Sequence, residues 1–321
     1  MKKRFNLKAI IIRLPFIPVL LFLTACTPTP APKPIPVTKF EPFQSGNVPK
    51  DVGEAVLLNV NGYDFLYMYP LPPFKSDGRI FVPLDRFLAT LEIGTTYTYG
   101  TDVTQPPLSV VISKDRIEAE ITNDSKVTIT NTKTGEVTTP NYSETEKVWR
   151  EFKDNLNSIY QPPLGIYVAL DIFIDAFKVD AKYDAESNTL YVVSKESEFP
   201  KYFRLDDDIY KVQPTPIIRP IKANLELTNQ PKHYEDSAFR LTLYIQAADD
   251  YTGTAEDISV ALIGFYPGAR VRFAGDSLTK PFTCQNGTKK NTFICVEDFP
   301  PDEEFKSPLW YIFSRIGVRI K

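Results

Sequence analysis

Across residues 54–195 hydrophobic positions recur first with the period of a strand and then with the period of a helix, and the whole succession occurs twice. Residues 79–88 read RIFVPLDRFL and residues 166–174 read IYVALDIFI. At an offset of 86, Ile80, Phe81, Val82, Leu84, Asp85, Phe87, Leu91 and Tyr97 meet Ile166, Tyr167, Val168, Leu170, Asp171, Phe173, Phe177 and Tyr183. Each copy predicts a strand, a short helix and two more strands. In the first copy Phe87, Leu88 and Leu91 supply the helical spacing, and TYTYG and LSVVIS follow as strands. Asn61-Gly62 and Asp77-Gly78 predict tight hairpin turns. One copy alone would bury little, so the two are expected to form a single domain. Within the phrase, Val82 and Leu84 are expected to face inward, Pro83 to sit where the ladder spares a donor, and Asp85 to cap the helix.

Between the copies, SETEKVWREFKDNLNSIY predicts a helix opened by a capping box of Ser143 and Glu146. Val148, Trp149, Phe152, Leu156 and Ile159 line one face of it. That face either packs on the domain's own sheet or projects to dock a partner, with Trp149 and Phe152 as anchors. Alternating aromatics pose the same choice. Tyr63, Phe65, Tyr67 and Tyr69 share one side of a strand, as do Tyr97 and Tyr99. They form a core face, or a surface on which Tyr67 and Tyr69 meet a sugar or a protein.

Downstream, residues 198–221 are interrupted by proline and predict a linker. Residues 222–321 then alternate in seven short runs, from ANLELTN to WYIFSRIGVRI, which predicts a β-sandwich of immunoglobulin-like type. Upstream, residues 27–48 are dense in proline and lack a hydrophobic period, so an extended spacer is expected. The fold class is therefore mainly β with short helices: an α+β domain over residues 51–197, then the sandwich.

Composition agrees with this reading. The chain of 321 residues has 17 Tyr and 22 Phe, types that pack on pleated surfaces. The formal net charge of −3 gives no basic face for nucleic acid. The basic start MKKRFNLK precedes a short, proline-broken apolar run ending in Leu23-Thr24-Ala25-Cys26. That ending resembles a bacterial lipobox, which implies a signal peptide over residues 1–25, diacylglycerol on Cys26 and a tether over residues 26–50. The implied place is the cell envelope, with the membrane engaged through lipid and the body facing outward. Thr27 stands where an Asp would favour inner-membrane retention in enteric bacteria, so outer-membrane sorting is permitted. Export favours a disulfide between Cys284 and Cys295, worth about 3 kcal/mol on loop entropy, over two buried thiols.

The pattern NG…PP…DGRIFVPLDRFLATL, then PP…GIYVALDIFIDAFKVDAKYD…LYVV, resembles the copper amine oxidase N-terminal domain family over residues 54–195. The resemblance implies a small antiparallel sheet wrapped on a helix, with no known catalysis. Ala169 replaces a usual proline, and Lys178-Val179 stand where a glycine usually ends the second helix. YPGARVRFAGDSLTKPFTCQNGTKKNTFICVEDFPPDEEF, then LWYIFSRIGVRI, resembles bacterial surface immunoglobulin-like domains of the adhesive-repeat type, which show a C…C hairpin, an acidic Pro/Gly turn and a closing strand; the resemblance covers the C-terminal region from residue 222.

Chemistry is sparse. The single histidine, His233, cannot supply the ligands of a copper or ordinary zinc centre. No phosphate loop, dinucleotide fingerprint or nucleophile elbow occurs. The acidic stretches Asp206–Asp208 and Asp249, Asp250, Glu256, Asp257 read as calcium loops or as solvated turns. No cofactor and no metal is expected. The reading is a non-enzymatic binding or scaffold module in an envelope protein assembly or on wall polymer. A wall-active hydrolase with a carboxylate pair is the alternative.

Overall fold

The computed structural model describes residues 38–66, 71–84, 87–88, 91, 93–101, 107–140, 142, 147–152, 165–195, 202–205, 207–212, 217–229, 238–263, 283–299 and 313–319. Thr38–Lys321 forms one compact unit, and the fold is mainly β, with Leu170–Phe177 a helix of two turns.

The repeated phrase builds the centre of one sheet. The strand Arg79–Pro83 pairs antiparallel with Ile166–Ala169, with Val82 opposite Val168. Phe81 opposes Ala169 and Pro83 opposes Tyr167. Because Val82 and Val168 are equivalent positions of the repeat, a local two-fold axis passes between them. Phe87 and Phe173, also equivalent, meet edge to face at 4.9 Å beside that axis. Phe81, Val82, Leu84, Tyr167, Val168 and Phe173 are all buried. Both faces of these strands are covered, which explains their continuous apolar runs. The strands Phe74–Ser76 and Trp149–Glu151 flank the central pair, one on each side.

The turns fold as their sequences require. Asn61 (φ 53°) with Gly62 (φ 88°), and Asp77 (φ 50°) with Gly78 (φ 78°), take the left-handed pairs of a type I′ hairpin. Leu170–Phe177 ends on Lys178 in the left-handed conformation (φ 55°, ψ 38°), whose N–H reaches the carbonyl of Ile174. The lysine takes the place that glycine fills more cheaply. The helix is preceded by Ala169 without a side-chain cap. Asp171 lies in its first turn and pairs with Arg79 at 3.4 Å. Asp85, the expected cap of the first copy, lies outside the described residues.

Two more sheets complete the first part. Strands Gly94–Thr98, Ser109–Lys114, Ile117–Thr122, Val127–Asn131 and Val137–Thr138 form a meander. Val110, Ile112, Ala119, Ile121 and Val127 are its buried face, and the helix Leu170–Phe177 packs against the strand Ile117–Thr122. Leu57–Val60 runs parallel to Thr189–Val193, between Tyr63–Phe65 and the hairpin strand Asp180–Asp184. A strand near the start of the repeat region therefore pairs with its last strand, which ties the two ends of the region together.

In the remaining part, one sheet has the order Gln44–Ser45, Ile218–Leu227, Phe239–Ala247, Thr292–Phe299, Thr283–Asn286. A second has the order Tyr202–Leu205, Asp208–Val212, Phe313–Arg319, Ile258–Ile263. Phe239, Leu241, Leu243, Ile245 and Ala247 alternate inward along their strand, and Ile258 and Val260 are buried on the second sheet. The run ARVRFAG lies outside the described residues.

Three expectations are corrected. Trp149–Glu151 is a strand paired with Ile166–Ala169, where a helix face was expected. Backbone pairing to a buried strand outweighs the helical spacing of Val148, Trp149 and Phe152; Leu156 and Ile159 lie outside the described residues. The presumed linker contains the hairpin of Tyr202–Leu205 and Asp208–Val212, which extends the second sheet. The presumed tether stops short of residue 50: Phe43 is buried, and Gln44–Ser45 pairs parallel with Lys222 and Ala223.

Candidate functional site

The proposed anchors Trp149 and Phe152 serve the core. Trp149 is buried, and its indole N–H donates to the Glu151 carboxylate at 2.7 Å. Phe152 closes a ring cluster with Phe74 (5.5 Å) and Tyr167 (5.2 Å). The Leu71 N–H donates to the Tyr167 hydroxyl at 2.9 Å, and that hydroxyl donates back to the Leu71 carbonyl. A buried phenol is thus satisfied in both roles. Neither anchor presents a docking face, which is a correction of that reading. Tyr63 and Phe65 are likewise core residues, while Tyr67, Tyr69, Cys26 and His233 lie outside the described residues. Tyr97 and Tyr99 are half-buried, with ring centroids 6.2 Å apart, at the end of Gly94–Thr98, the last strand of its sheet among the described residues. Next to them Leu108 is 51% exposed.

Cys284 and Cys295 form a disulfide between directly opposed residues of adjacent strands. It pins the hairpin that ends the first sheet of the second part.

A cleft of about 330 Å³ opens beside Ile217, Asp250, Tyr251, Gly253, Asp257 and Arg319. The buried Asp257 carboxylate accepts from the Thr254 N–H (2.8 Å) and hydroxyl (3.1 Å), and so caps the turn Ala255–Asp257. Burial, and then the nearby Asp257 charge, push the Tyr251 phenol up to about 12. It stays protonated at neutral pH and acts as a hydrogen-bond donor, reaching the Thr254 carbonyl at 3.3 Å. Among the described residues, no group of three or more His, Cys, Asp or Glu side chains is placed to hold a metal. The cleft offers binding contacts more readily than proton transfer.

Two arrangements that sequence reasoning missed join the parts of the fold. The first is a buried polar network. Arg219, 5% exposed on the strand Ile218–Leu227, lies 3.5 Å from the Asp64 carboxylate of the hairpin strand Tyr63–Phe65. Its guanidinium also donates to the Thr189 hydroxyl (2.7 Å) and the Tyr191 hydroxyl (3.2 Å). Asn59 donates to the other Asp64 oxygen at 2.6 Å. Burial raises the Asp64 pKa, against the opposing pull of Arg219 and Asn59.

The second is a strap, residues 38–48. The Gln246 carboxamide accepts from the Glu41 N–H (2.8 Å) and donates to the Lys39 carbonyl (3.3 Å). The Phe43 N–H donates to the Ser187 carbonyl, and Asn188 donates to the Phe43 carbonyl at 2.9 Å. Asn47 accepts from the Leu225 N–H (2.8 Å) and donates to the Leu225 carbonyl (2.6 Å), as a strand neighbour's peptide group would. The strap thus touches both parts of the fold. No local pattern marks it, because its partners lie about 140 to 250 residues further along the chain.

Comparison of the chain with protein families, with curated proteins and with solved structures finds no match.

Proposed function

We propose that the chain is a non-catalytic, lipid-anchored cell-envelope protein that acts as a binding or scaffold module in a surface assembly. The observation that carries this reading is the strap. The segment that follows the proline-dense run is hydrogen-bonded to both parts of the body, so an anchor on Cys26 would reach the body at a defined point. A defined point of attachment suits a protein that presents partners at a membrane. The repeat supports the same view, since its strands and aromatics are spent on the two-fold core. For the second part, lettering the strands from Ile218–Leu227 onward gives sheets A-B-E-D and C-F. That order favours an immunoglobulin-like sandwich, with Asp208–Val212 beside strand F in the place of the usual last strand.

The test is a crosslinked pull-down from membranes of the expressing cell, run beside labelled fatty-acid incorporation in the wild type and in Cys26→Ser. The expected outcome is label on the wild type alone and one stoichiometric protein or wall polymer in the pull-down. Recovery of lipid with no such partner would overturn the scaffold reading. Equal labelling of both chains would overturn the anchor.

A further inference from the structure

The strap is held the way peptide-binding sites hold an extended ligand: mostly through its backbone. Gln246 reads the Lys39 carbonyl and the Glu41 N–H, and Ser187 and Asn188 read both backbone groups of Phe43. Asn224 accepts from the Gly46 N–H at 2.8 Å, and parallel pairing fixes residues 44–45 against Lys222 and Ala223. Side-chain recognition is concentrated in two apolar residues, Phe43 (2% exposed) and Val48 (7%). The remaining ties are the exposed ion pairs Lys39–Glu186 and Glu41–Lys289 and the half-buried Asn47, whose carboxamide holds both backbone groups of Leu225. Two ladder residues, two buried side chains and ties that are exposed or half-buried make this a weak seam. Segments of that kind open locally far more often than the core does. The connection to the next strand is short, with the Val52 and Gly53 N–H groups donating to the Pro49 carbonyl.

We infer that residues 38–48 are an exchangeable strand: the groove is a peptide-binding site occupied in cis, and the strap of a second copy of this chain occupies it in trans. The second copy is the natural occupant because its strap carries the matching phenylalanine, valine and charges by identity. Reciprocal exchange of one element gives a closed, two-fold dimer with no new contact surface required.

The test uses full-length chains carrying Cys26→Ser in detergent, with the native disulfide intact. Gln44→Cys and Lys222→Cys, directly opposed in the parallel ladder, are made together in one chain and also separately in two differently tagged chains. The double variant closes an intrachain disulfide on mild oxidation, which reports the occupied groove. The mixed single variants form a disulfide-linked heterodimer whose yield rises with incubation time and protein concentration. A synthetic peptide of residues 37–49 suppresses most of that heterodimer by taking the groove. Ser45→Cys with Ala223→Cys repeats the design at the neighbouring ladder pair. Three results overturn the inference: a double variant that closes while the mixture stays monomeric, heterodimer unaffected by excess peptide, or failure of both pairs to close in cis.

Discussion

Replacing Arg219 with methionine should expose how the two parts of the body are locked. The substitution keeps an unbranched chain of similar length and removes the guanidinium. It leaves the Asp64 carboxylate, 15% exposed at the side chain, without the cation 3.5 Å away. Losing one partner of a buried pair costs about 3–5 kcal/mol, and the released Thr189 and Tyr191 hydroxyls add about 1 kcal/mol or less apiece. The loss depends on pH. Burial already raises the Asp64 pKa above its ordinary value of 3.8, and removing the opposing arginine raises it further. An acid with a raised folded-state pKa contributes stability that is complete below the unfolded value and is lost as pH rises through the folded one. The deficit of Arg219→Met against the wild type is therefore smallest near about pH 4 and widens toward about pH 7. Urea unfolding at a series of pH values measures it. Adding Asp64→Leu should recover most of the loss, since an apolar pair in place of a buried ion pair is often neutral. A deficit flat with pH, or a double variant worse than the single, would refute the reasoning.

Three further outcomes are expected. Lys178→Gly relieves the left-handed helix end and raises stability by about 1 kcal/mol, less whatever the lysine gains by donating to the Asp175 carbonyl at 2.7 Å; thermal unfolding reads the sign. Reducing Cys284–Cys295 costs about 2–3 kcal/mol, and hydrogen exchange should rise mainly along Thr283–Asn286 and its neighbour Thr292–Phe299, not across the repeat domain. Trp149→Ala leaves a cavity in the repeat domain and costs about 3–5 kcal/mol in urea unfolding, whereas an exposed docking residue would change stability by less than about 0.5 kcal/mol.

Local features of this fold were legible and distant ones were not. The repeat could be read because Ile80–Leu84 and Ile166–Leu170 bury the same positions, so selection for one core imposes one pattern twice. Asn61-Gly62 and Asp77-Gly78 were readable because left-handed dihedrals at adjacent residues demand those types. Trp149 misled because Val148, Trp149 and Phe152 satisfy a helical spacing, while the neighbours Val148 and Trp149 are both buried where the strand begins, so no alternation shows. In the presumed linker the prolines around residues 213–221 outweighed the strand pattern of Tyr202–Val212. The Arg219–Asp64 lock and the strap had no signal at all. Their partners are joined by the fold, and a lone arginine or glutamine looks the same on any surface strand.

The axis between Val82 and Val168 gives the repeat a further meaning. Each half offers a strand edge and a phenylalanine that are complementary to the same edge and phenylalanine of its twin. Such a surface is complementary to itself, the property that defines an isologous contact. The domain therefore has the layout of a two-fold homodimer whose subunits share one chain. Joined in this way, the halves meet at an effective concentration fixed by their connection, not by the abundance of the protein.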